Sequence, residues 1–388
     1  MKIAFIGQKG IPVTKPGGVE RHVEELATRL AERNHEVFAY VRNNYTDRHL
    51  KEYAGIKLIH LPSIGTKHMD AISHTFFATL HALFCKYDVI HYHSIGPSSL
   101  SFIIKILKPK TVLVATYHSQ DYFHQKWGVL AKACLKLAEY ITCNIPDKTI
   151  AVSQSLGRFV RKNFQKEAVV IPNGFSATET KETAELEKWG LIKNEYIFTA
   201  SRLVRHKGIQ YLIEAYKNLY DQNLHKGKKL VIAGDGAFTD DYVKFLRHLA
   251  SGNKSIIFTG AQSGKALSQL FSHCYLFVQP SETEGLSIAL LESMGYGKTA
   301  LVSGIPENLE AIGSNGFAFR SGDAKDLEEK LHGLLNDPVL VRENGELAKI
   351  EVSKKYDWEK ITTQTEALYK SLMNHKLTSK QYAKYAQV

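Results

Sequence analysis

The segment Pro280-Ser281-Glu282-Thr283-Glu284-Gly285-Leu286-Ser287-Ile288-Ala289-Leu290-Leu291-Glu292 joins two apolar runs of the chain. The run before it, residues 275–279, has the composition of a buried strand, and the run from Leu286 onward predicts a helix. The polar loop between them carries Glu284, and free N–H groups at a helix start favour an anion such as phosphate. Glu292 lies about two turns into the helix among apolar residues, where a carboxylate without a role is unusual. The segment therefore predicts a βα unit with a ligand site.

The same alternation of short β-rich runs and amphipathic stretches extends in both directions from this unit. Helical periodicity fills the intervals, for example over residues 19–32 and 71–85. This pattern is typical of parallel sheets in an α/β fold. The predicted strands are residues 2–7, 36–41, 56–60, 89–93, 111–117, 149–153 and 169–172 in the first half, and 196–201, 230–233, 256–259, 275–279 and 300–303 in the second.

A chain of 388 residues exceeds what one hydrophobic core usually organises, which predicts two Rossmann-like domains. The polar stretch 176–183 has no apolar face and is interpreted as the connection between them. We expect one domain over 1–175 and a second over 190–355. A helix over 356–373 and a frayed tail over 374–388 follow.

Three further segments place polar residues where predicted strands end. The first segment follows the strand 2–7 and leads into a predicted helix; it consists of Gly7-Gln8-Lys9-Gly10 and Gly17-Gly18-Val19-Glu20. Its glycines let the backbone approach an anion. Tyr117-His118-Ser119-Gln120-Asp121 follows the strand 111–117 and places an imidazole where parallel sheets bind ligands. Ser201-Arg202-Leu203-Val204-Arg205-His206-Lys207-Gly208 supplies two cations suited to a diphosphate. Each segment also has a non-functional interpretation. The glycines could simply form a turn, His118 could be a structural histidine, and Arg202 and Lys207 could be solvated surface charges.

Composition excludes several classes of protein. The 44% hydrophobic and 23% charged content is that of a globular chain, and the four cysteines have no zinc-ligand spacing. The first loop does not match Gly-x-Gly-x-x-Gly, so hydride chemistry on NAD gains little support. We find no signal peptide and no run of 18 apolar residues, and we expect a cytoplasmic location.

The basic charge is uneven along the chain. The net charge is +11, and residues 101–166 hold 11 Lys or Arg against 3 Asp or Glu. In this region apolar residues alternate with lysines, which is one pattern expected of a surface that docks on an anionic membrane, here the inner face of the plasma membrane. The alternative is that the apolar residues face the core and the lysines are solvated. The residues concerned are Phe102, Ile103, Ile104, Lys105, Ile106, Leu107, Lys108, Lys110, Lys126, Trp127, Leu130, Lys132 and Lys136.

Taken together and in this order, the motifs identify the chain as resembling glycosyltransferase family 4, whose members have the GT-B architecture of two Rossmann-like domains facing across a cleft. The resemblance covers residues 1–370. The most specific element is Glu284-x7-Glu292. The supporting elements are the Gly-Gly-Val-Glu loop at Gly17, Ser-Arg-Leu with Lys-Gly over residues 201–208, Ile171-Pro172-Asn173-Gly174 and Ala233-Gly234-Asp235-Gly236.

The resemblance implies a role for each matching position. Arg202 and Lys207 would hold the diphosphate of a nucleotide-sugar donor, and Glu292 would bind the ribose. Glu284, with the backbone of Gly285, Leu286 and Ser287, would grip the sugar. Gly17 and Gly18 would let the first loop close over the phosphates, Gly234 belongs to the donor site, and His118 would lie beside the reacting sugar. Ser287 stands where the family often has glycine, and Lys15-Pro16 precedes Gly17. The helix from Trp358 would cross back to the first domain.

The implied reaction is a hexosyl transfer with retention, onto a lipid-linked or saccharide acceptor in polysaccharide biosynthesis. The leaving phosphate would help to deprotonate the acceptor. No Asp-x-Asp occurs in the sequence, so we expect no metal and no cofactor, with Arg202 and Lys207 replacing the cation. A nucleotide-sugar epimerase of the same architecture is the alternative enzyme. A non-catalytic binding protein retaining the fold and a nucleic-acid binder are weaker alternatives, because the motif residues are intact and no groove-reading element accompanies the charge.

Overall fold

The computed structural model describes residues 1–14, 17–66, 69–120 and 128–385. Within them the chain divides into two compact units. The first unit holds the described residues up to Asn173 and those from Trp358 onward, and the second runs from Gly174 to Asp357. The polar stretch 176–183 lies in the second unit, where the Thr180 N–H donates to Ser272 Oγ at 3.2 Å.

The first unit is built on an eight-stranded sheet of order β3-β4-β2-β1-β5-β6-β7-β8, parallel except for the β3–β4 pair. Ile3 of the central strand is in register with Val37 and Val89 of its two neighbours. The elements are β1 (Lys2–Ile6), α1 (Gly18–Glu32), β2 (Glu36–Arg42), β3 (Glu52–Tyr53), β4 (Ile56–Leu61), α2 (Asp70–Phe84), β5 (Val89–His93), α3 (Ile95–Ser98), α4 (Ser101–Leu107), β6 (Val112–Tyr117), α5 (Val129–Asn144), β7 (Lys148–Ala151), α6 (Gln154–Phe164) and β8 (Val169–Val170).

Both faces of this sheet are covered, which explains why β1 is apolar at every position except Lys2. Ile3 and Phe5 belong to one core layer with side chains of α1, while Ala4 and Ile6 belong to the other with side chains of α2 and α4. Successive residues of a strand point to opposite faces, so one short run supplies both layers.

The second unit contains a six-stranded parallel sheet of order β11-β10-β9-β12-β13-β14. Its main core cluster includes Ile197, Leu230 and Ile232, and the rings of Phe198, Phe271 and Phe277 contact one another. The elements are β9 (Tyr196–Ala200), α7 (Ile209–Asp221), β10 (Lys229–Ala233), α8 (Asp240–Leu249), β11 (Ile256–Gly260), α9 (Gly264–His273), β12 (Leu276–Gln279), α10 (Ile288–Gly295), β13 (Ala300–Ser303), α11 (Pro306–Ile312), β14 (Phe317–Phe319), α12 (Ala324–Asn336) and α13 (Pro338–Lys355).

The last helix, α14 (Trp358–Tyr385), belongs to the first unit and packs against α1. Arg33 donates to Glu359 Oε2 at 2.7 Å and to Glu366 Oε2 at 3.1 Å. The helix continues past Met373, where we had expected a frayed tail. Lys376 in the added turns pairs with Asp147 at 2.5 Å, which ties them to the unit. No helix among the described residues is long and apolar enough to cross a membrane.

Candidate functional site

In the second unit, the segments selected from the sequence follow neighbouring strands at the point where the strand order reverses. β9 is hydrogen-bonded to β10 on one side and to β12 on the other. Open parallel sheets bind ligands beyond the carboxyl ends of the strands at such a reversal. Arg202 and Lys207 follow β9, and Glu284 follows β12. The fold therefore places both segments at the expected edge of one sheet.

A short ion pair joins these two segments. The Lys207 ammonium lies 2.5 Å from Glu284 Oε1, and the two side chains are only 13% and 8% exposed. Gln279, the last residue of β12, donates from Nε2 to the same carboxylate oxygen at 2.5 Å and to Ser281 Oγ at 3.0 Å. This network holds a cation and an anion ready at one point, where each could exchange its partner for a charged or hydroxylated ligand.

Two glycines permit the close approach of backbones that this geometry needs. Gly208 has φ +68°, and a Cβ there would lie 1.9 Å from the Pro280 carbonyl oxygen. Gly234, at the end of β10, has φ +144°, and a Cβ would lie 1.8 Å from the Ser201 carbonyl oxygen. Both conformations are ones that L side chains rarely adopt. The loops after β9, β10 and β12 therefore converge because glycine occupies these positions.

The helix after Glu284 begins at Ile288, two residues later than the sequence suggested. Ser287 is its N-cap and accepts from the Leu290 N–H at 3.3 Å, a role that glycine could not fill. Glu292 is half-buried in the second turn and has partners of its own. Gly285 and Leu286 are buried beside the helix start.

Arg202 differs from Lys207 in its surroundings. Arg202 is half-buried, and its guanidinium forms no ion pair with any carboxylate in the part of the chain that the structure describes. An unpaired guanidinium at the carboxyl edge of a sheet offers a planar fork for phosphate oxygens. Among the described residues, Arg202 therefore differs from Lys207 in having no carboxylate that a phosphate would have to displace.

In the first unit, His118 lies within a cluster of four buried histidines, His22, His91, His93 and His118, which we term the histidine cluster. His118 Nε2 is 3.1 Å from His93 Nδ1, and His22 Nδ1 is 2.9 Å from Asn173 Oδ1. β1 and β5 flank the point where the strand order of this sheet reverses, so the cluster occupies the ligand-binding edge of the unit. Asp121, the end of the predicted His118 motif, lies outside the described residues.

Burial controls the charge of the histidine cluster. Desolvation lowers the pKa of His118 well below its usual value, and the neighbouring His22 and His91 lower it further. Desolvation likewise lowers the pKa of His22 to about 4, partly offset by its hydrogen bond to Asn173. At neutral pH His118 is therefore an uncharged imidazole, able to donate or accept a hydrogen bond with a sugar hydroxyl.

The ring nitrogens of three cluster members could also reach a metal ion. One ligand atom from each of His22, His93 and His118 lies within 4.8 Å of the others. Neutral imidazoles are common transition-metal ligands. The expectation of a metal-free enzyme rests on the sequence alone and stays a prediction.

The first loop is tied to α1 through carboxylates rather than held open. The Lys9 N–H donates to Glu20 Oε1 at 3.3 Å, and the Val13 N–H donates to Glu24 Oε2 at 2.6 Å. A Cβ at Gly17 would lie 1.9 Å from Glu20 Oε2, whereas Gly18 faces open space. Glu20 and Glu24 therefore occupy loop amides, so a phosphate bound to those amides would have to displace them.

Several residues of these arrangements were not singled out in the sequence. Gln279 closes an apolar strand with an amide, and His91 and His93 alternate at the end of β5 as His-x-His. Either pattern could have been noticed as polar residues at the carboxyl end of a strand. Nothing local indicates that His22 of α1 joins the cluster, because only the packing of α1 on the sheet brings it there.

Comparison with known proteins finds two matching family models. Residues 16–179 match the model described as Glycosyltransferase Family 4, and residues 181–350 match Glycosyl transferases group 1. An uncharacterized glycosyltransferase of Methanocaldococcus jannaschii is 28% identical over 371 residues, covering 92% of this chain and 95% of the relative.

Two further matches concern the fold and a named reaction. The UDP-Gal:alpha-D-GlcNAc-diphosphoundecaprenol alpha-1,3-galactosyltransferase of Escherichia coli is 26% identical over 266 residues, 66% of this chain and 68% of that protein. The structure of sucrose-phosphate synthase from Thermosynechococcus elongatus has a TM-score of 0.82 and 20% identity, covering 96% of this chain and 99% of that one.

Proposed function

The chain belongs to the group 1 glycosyltransferases and has the GT-B fold, and from this we propose that it is a retaining hexosyltransferase acting in cell-surface glycan synthesis. The donor is a nucleotide-sugar, and the acceptor is lipid-linked or a saccharide. The observation that carries the proposal is the Lys207–Glu284 pair at the β9–β12 reversal, the edge where such sheets bind ligands.

The second unit is proposed to bind the donor. Arg202 offers a guanidinium that pairs with no described carboxylate, and Lys207 offers an ammonium on a side chain that is 13% exposed; both suit the two phosphates of a nucleoside diphosphate. Glu284 would accept hydrogen bonds from sugar hydroxyls, and Glu292 from the ribose. In this scheme the donor's diphosphate competes with Glu284 for the Lys207 ammonium, which couples donor binding to release of the Glu284 carboxylate.

The proposed reaction needs no side-chain nucleophile. The acceptor oxygen forms its bond to the anomeric carbon on the face from which the phosphate leaves. The acceptor proton passes to the departing phosphate oxygen, and Arg202 and Lys207 stabilise the charge that develops there. The neutral His118, on the first unit, would hydrogen-bond a hydroxyl of the reacting sugar.

We propose that the two cations replace a divalent metal in this step. Support comes from the absence of Asp-x-Asp in the sequence and from the Arg202 guanidinium, which has no ion pair within residues 1–14, 17–66, 69–120 and 128–385. Transfer should then continue at its full rate in excess EDTA. A rate that falls to background in EDTA and recovers with Mg²⁺ or Mn²⁺ would show that a metal, not Arg202 and Lys207, balances the phosphate charge.

The acceptor assignment is supported by the names of relatives. The Escherichia coli relative is named for a diphosphoundecaprenol acceptor, and a Schizosaccharomyces pombe relative is named as a phosphatidylinositol N-acetylglucosaminyltransferase subunit. Both acceptors are lipids. A lipid acceptor and the basic first half favour an enzyme that works peripherally at the inner face of the plasma membrane.

Calorimetric titration of nucleoside diphosphates tests the donor site. Glu292→Ala should weaken binding by roughly tenfold to a hundredfold, because a hydrogen bond to a charged group contributes ~1.5–3 kcal/mol. Glu329→Ala, an exposed carboxylate on α12, is the matched control and should bind as the parent does. Unchanged affinity in Glu292→Ala would refute the ribose assignment. Incubation with donor alone separates the epimerase alternative, since only an epimerase changes the sugar without an acceptor.

A further inference from the structure

Helix α2 exposes large apolar side chains along one side. Phe76, Phe77, Leu80 and Phe84 recur at helical spacing and are all exposed, with Phe84 at 88%. The opposite side of the same helix packs on the sheet through Ala78 and other small residues. The exposed aromatic stripe is therefore additional to the side that α2 uses for the core.

Helices α4 and α5 continue this surface. α4 packs beside both α2 and α5. Lys108 Nζ donates to the Ala82 carbonyl at 3.3 Å, which joins the C-terminal ends of α2 and α4. Ile104 of α4 is buried, whereas Ile106 and Leu107 are 69% and 62% exposed. Among the side chains that the structure describes, the large exposed apolar residues of α4 and α5 are Phe102, Ile106, Leu107, Leu137 and Tyr140.

The charge on the three helices has one sign at the surface. Their carboxylates, among the described residues, are Asp70 and Glu139, and both are buried. Asp70 accepts from Arg42 at 2.6 Å, and Glu139 bonds the Tyr117 hydroxyl. The lysines on or next to these helices are Lys86, Lys105, Lys108, Lys110, Lys132 and Lys136. The three helices thus combine exposed apolar side chains with lysines and carry no exposed carboxylate among their described residues, although Asp88 beside Lys86 is exposed and Lys105 pairs with Asp147.

We propose that this α2–α4–α5 face, the exposed apolar side chains and lysines just described, docks on an anionic lipid bilayer. Apolar side chains enter the headgroup region of such a surface while lysines meet lipid phosphates. A bilayer offers a continuous anionic surface over an apolar layer, which matches a face that combines exposed apolar side chains with lysines. The core-facing alternative for the 101–107 segment holds for Ile104 but not for Phe102, Ile106 or Leu107. Lys126 and Trp127 lie outside the described residues.

Docking on this face would place the enzyme on the membrane that holds a lipid-linked acceptor, an argument that rests on the proposed function. Helices between parallel strands run antiparallel to them, so the N-terminal ends of α4 and α5 lie at the carboxyl edge of the sheet. That edge carries His118. Phe84, Ile106 and Leu107 lie at the C-terminal ends of α2 and α4, near the opposite edge of the sheet, so this face accounts for contact with the membrane and not for the position of His118.

Vesicle co-sedimentation of the full chain tests the proposal. We expect at least tenfold stronger binding to phosphatidylcholine vesicles containing 30% phosphatidylglycerol than to phosphatidylcholine alone, and weaker binding at high salt. Phe84→Ser/Ile106→Ser/Leu107→Ser should lower binding to the anionic vesicles at least tenfold. Val339→Ser/Leu347→Ser/Ile350→Ser removes three exposed apolar residues of the second unit and should bind as the parent does.

A second variant and two solution measurements separate the outcomes. Lys110→Glu/Lys132→Glu/Lys136→Glu should abolish the preference for anionic vesicles. Equal binding to both vesicle types, no binding, or a dimer in analytical ultracentrifugation that the serine variant converts to monomer would each overturn the proposal. Nucleoside diphosphate titration is run on every variant. If a variant loses vesicle binding but still binds nucleoside diphosphate, the substitution has affected the α2–α4–α5 face and not the glycosyltransferase site.

Discussion

The Lys207–Glu284 pair should show strong energetic coupling, which a double-mutant cycle can measure. The variants are Lys207→Met, Glu284→Gln and the combination. Either single change leaves a charge in a position that is no more than 13% exposed, and removing one partner of such a pair typically costs ~3–5 kcal/mol. The combined change leaves no uncompensated charge, so its cost should be close to that of one single change. Subtracting the cost of the double change from the sum of the two single changes gives a coupling free energy of ~3–5 kcal/mol.

Urea unfolding provides the free energies, and hydrogen–deuterium exchange of peptides spanning residues 276–290 assigns the loss to the second unit. The control cycle uses Lys188→Met and Glu185→Gln, an ion pair three residues apart whose lysine is 61% exposed. Exposed pairs contribute roughly 0.2–1 kcal/mol, so this control should show little coupling.

The two readouts of the cycle must differ for the reasoning to hold. The double variant should regain stability relative to the sum of the singles but should not regain sugar transfer, because both proposed ligand contacts are gone. Additive losses of free energy would refute the pairing and show that solvent screens Lys207 from Glu284. Full transfer activity in the double variant would refute the placement of the donor's phosphates at this pair.

Other expected outcomes follow from burial and backbone geometry. Burial lowers the pKa of His22 to about 4, so the neutral imidazole's contribution to stability is complete above the unfolded pKa of about 6.5. As the pH falls from about 6.5 toward 4, the free energy of unfolding should decrease by roughly 1 kcal/mol per pH unit. Urea midpoints at pH 7 and pH 5 measure this decrease, and equal midpoints would contradict it. Gly208→Ala should destabilise the second unit by at least ~1–2 kcal/mol in urea unfolding, because φ is +68° and the new Cβ would meet a carbonyl oxygen. The control is Gly333→Ala, where the new Cβ enters open space on α12, and it should stabilise the protein by ~0.5–1 kcal/mol. Lys376→Met should speed hydrogen exchange in the last turns of α14 by removing the ion pair with Asp147, and unchanged exchange would show that these turns do not depend on it.

Most strands and their α/β alternation were predictable from local sequence. Buried parallel strands need continuous apolar runs, and residues 89–93 and 300–303 match β5 and β13 without error. β3 and β14 were not predicted, because their runs of two and three residues show no measurable period. β8 is equally short, but it was predicted because it begins a longer apolar run, residues 169–172. The extension of α14 to Tyr385 was also not predicted, because the ion pair that stabilises it joins Lys376 to Asp147, which is far away in the chain.

The candidate site divides in the same way. Glu284, Lys207 and His118 were found because a residue at the end of a parallel strand lies at the ligand-binding edge of the sheet, and strand ends are visible in sequence. The bond between Lys207 and Glu284 was not visible, because the two residues are 77 positions apart and meet only when β9 and β12 pair.

What the sequence determined by itself, then, was the type and order of the elements and the family, because hydrophobic period and motif spacing are local properties of the chain. The tertiary structure decided which polar groups meet: Gln279 with Glu284, and His22 with Asn173 across 151 residues. It also decided which apolar residues stay outside, since Ile104 and Ile106 are chemically identical and differ only in the side of α4 on which they lie. Partner choice and burial depend on packing between distant segments, and no local pattern encodes that packing.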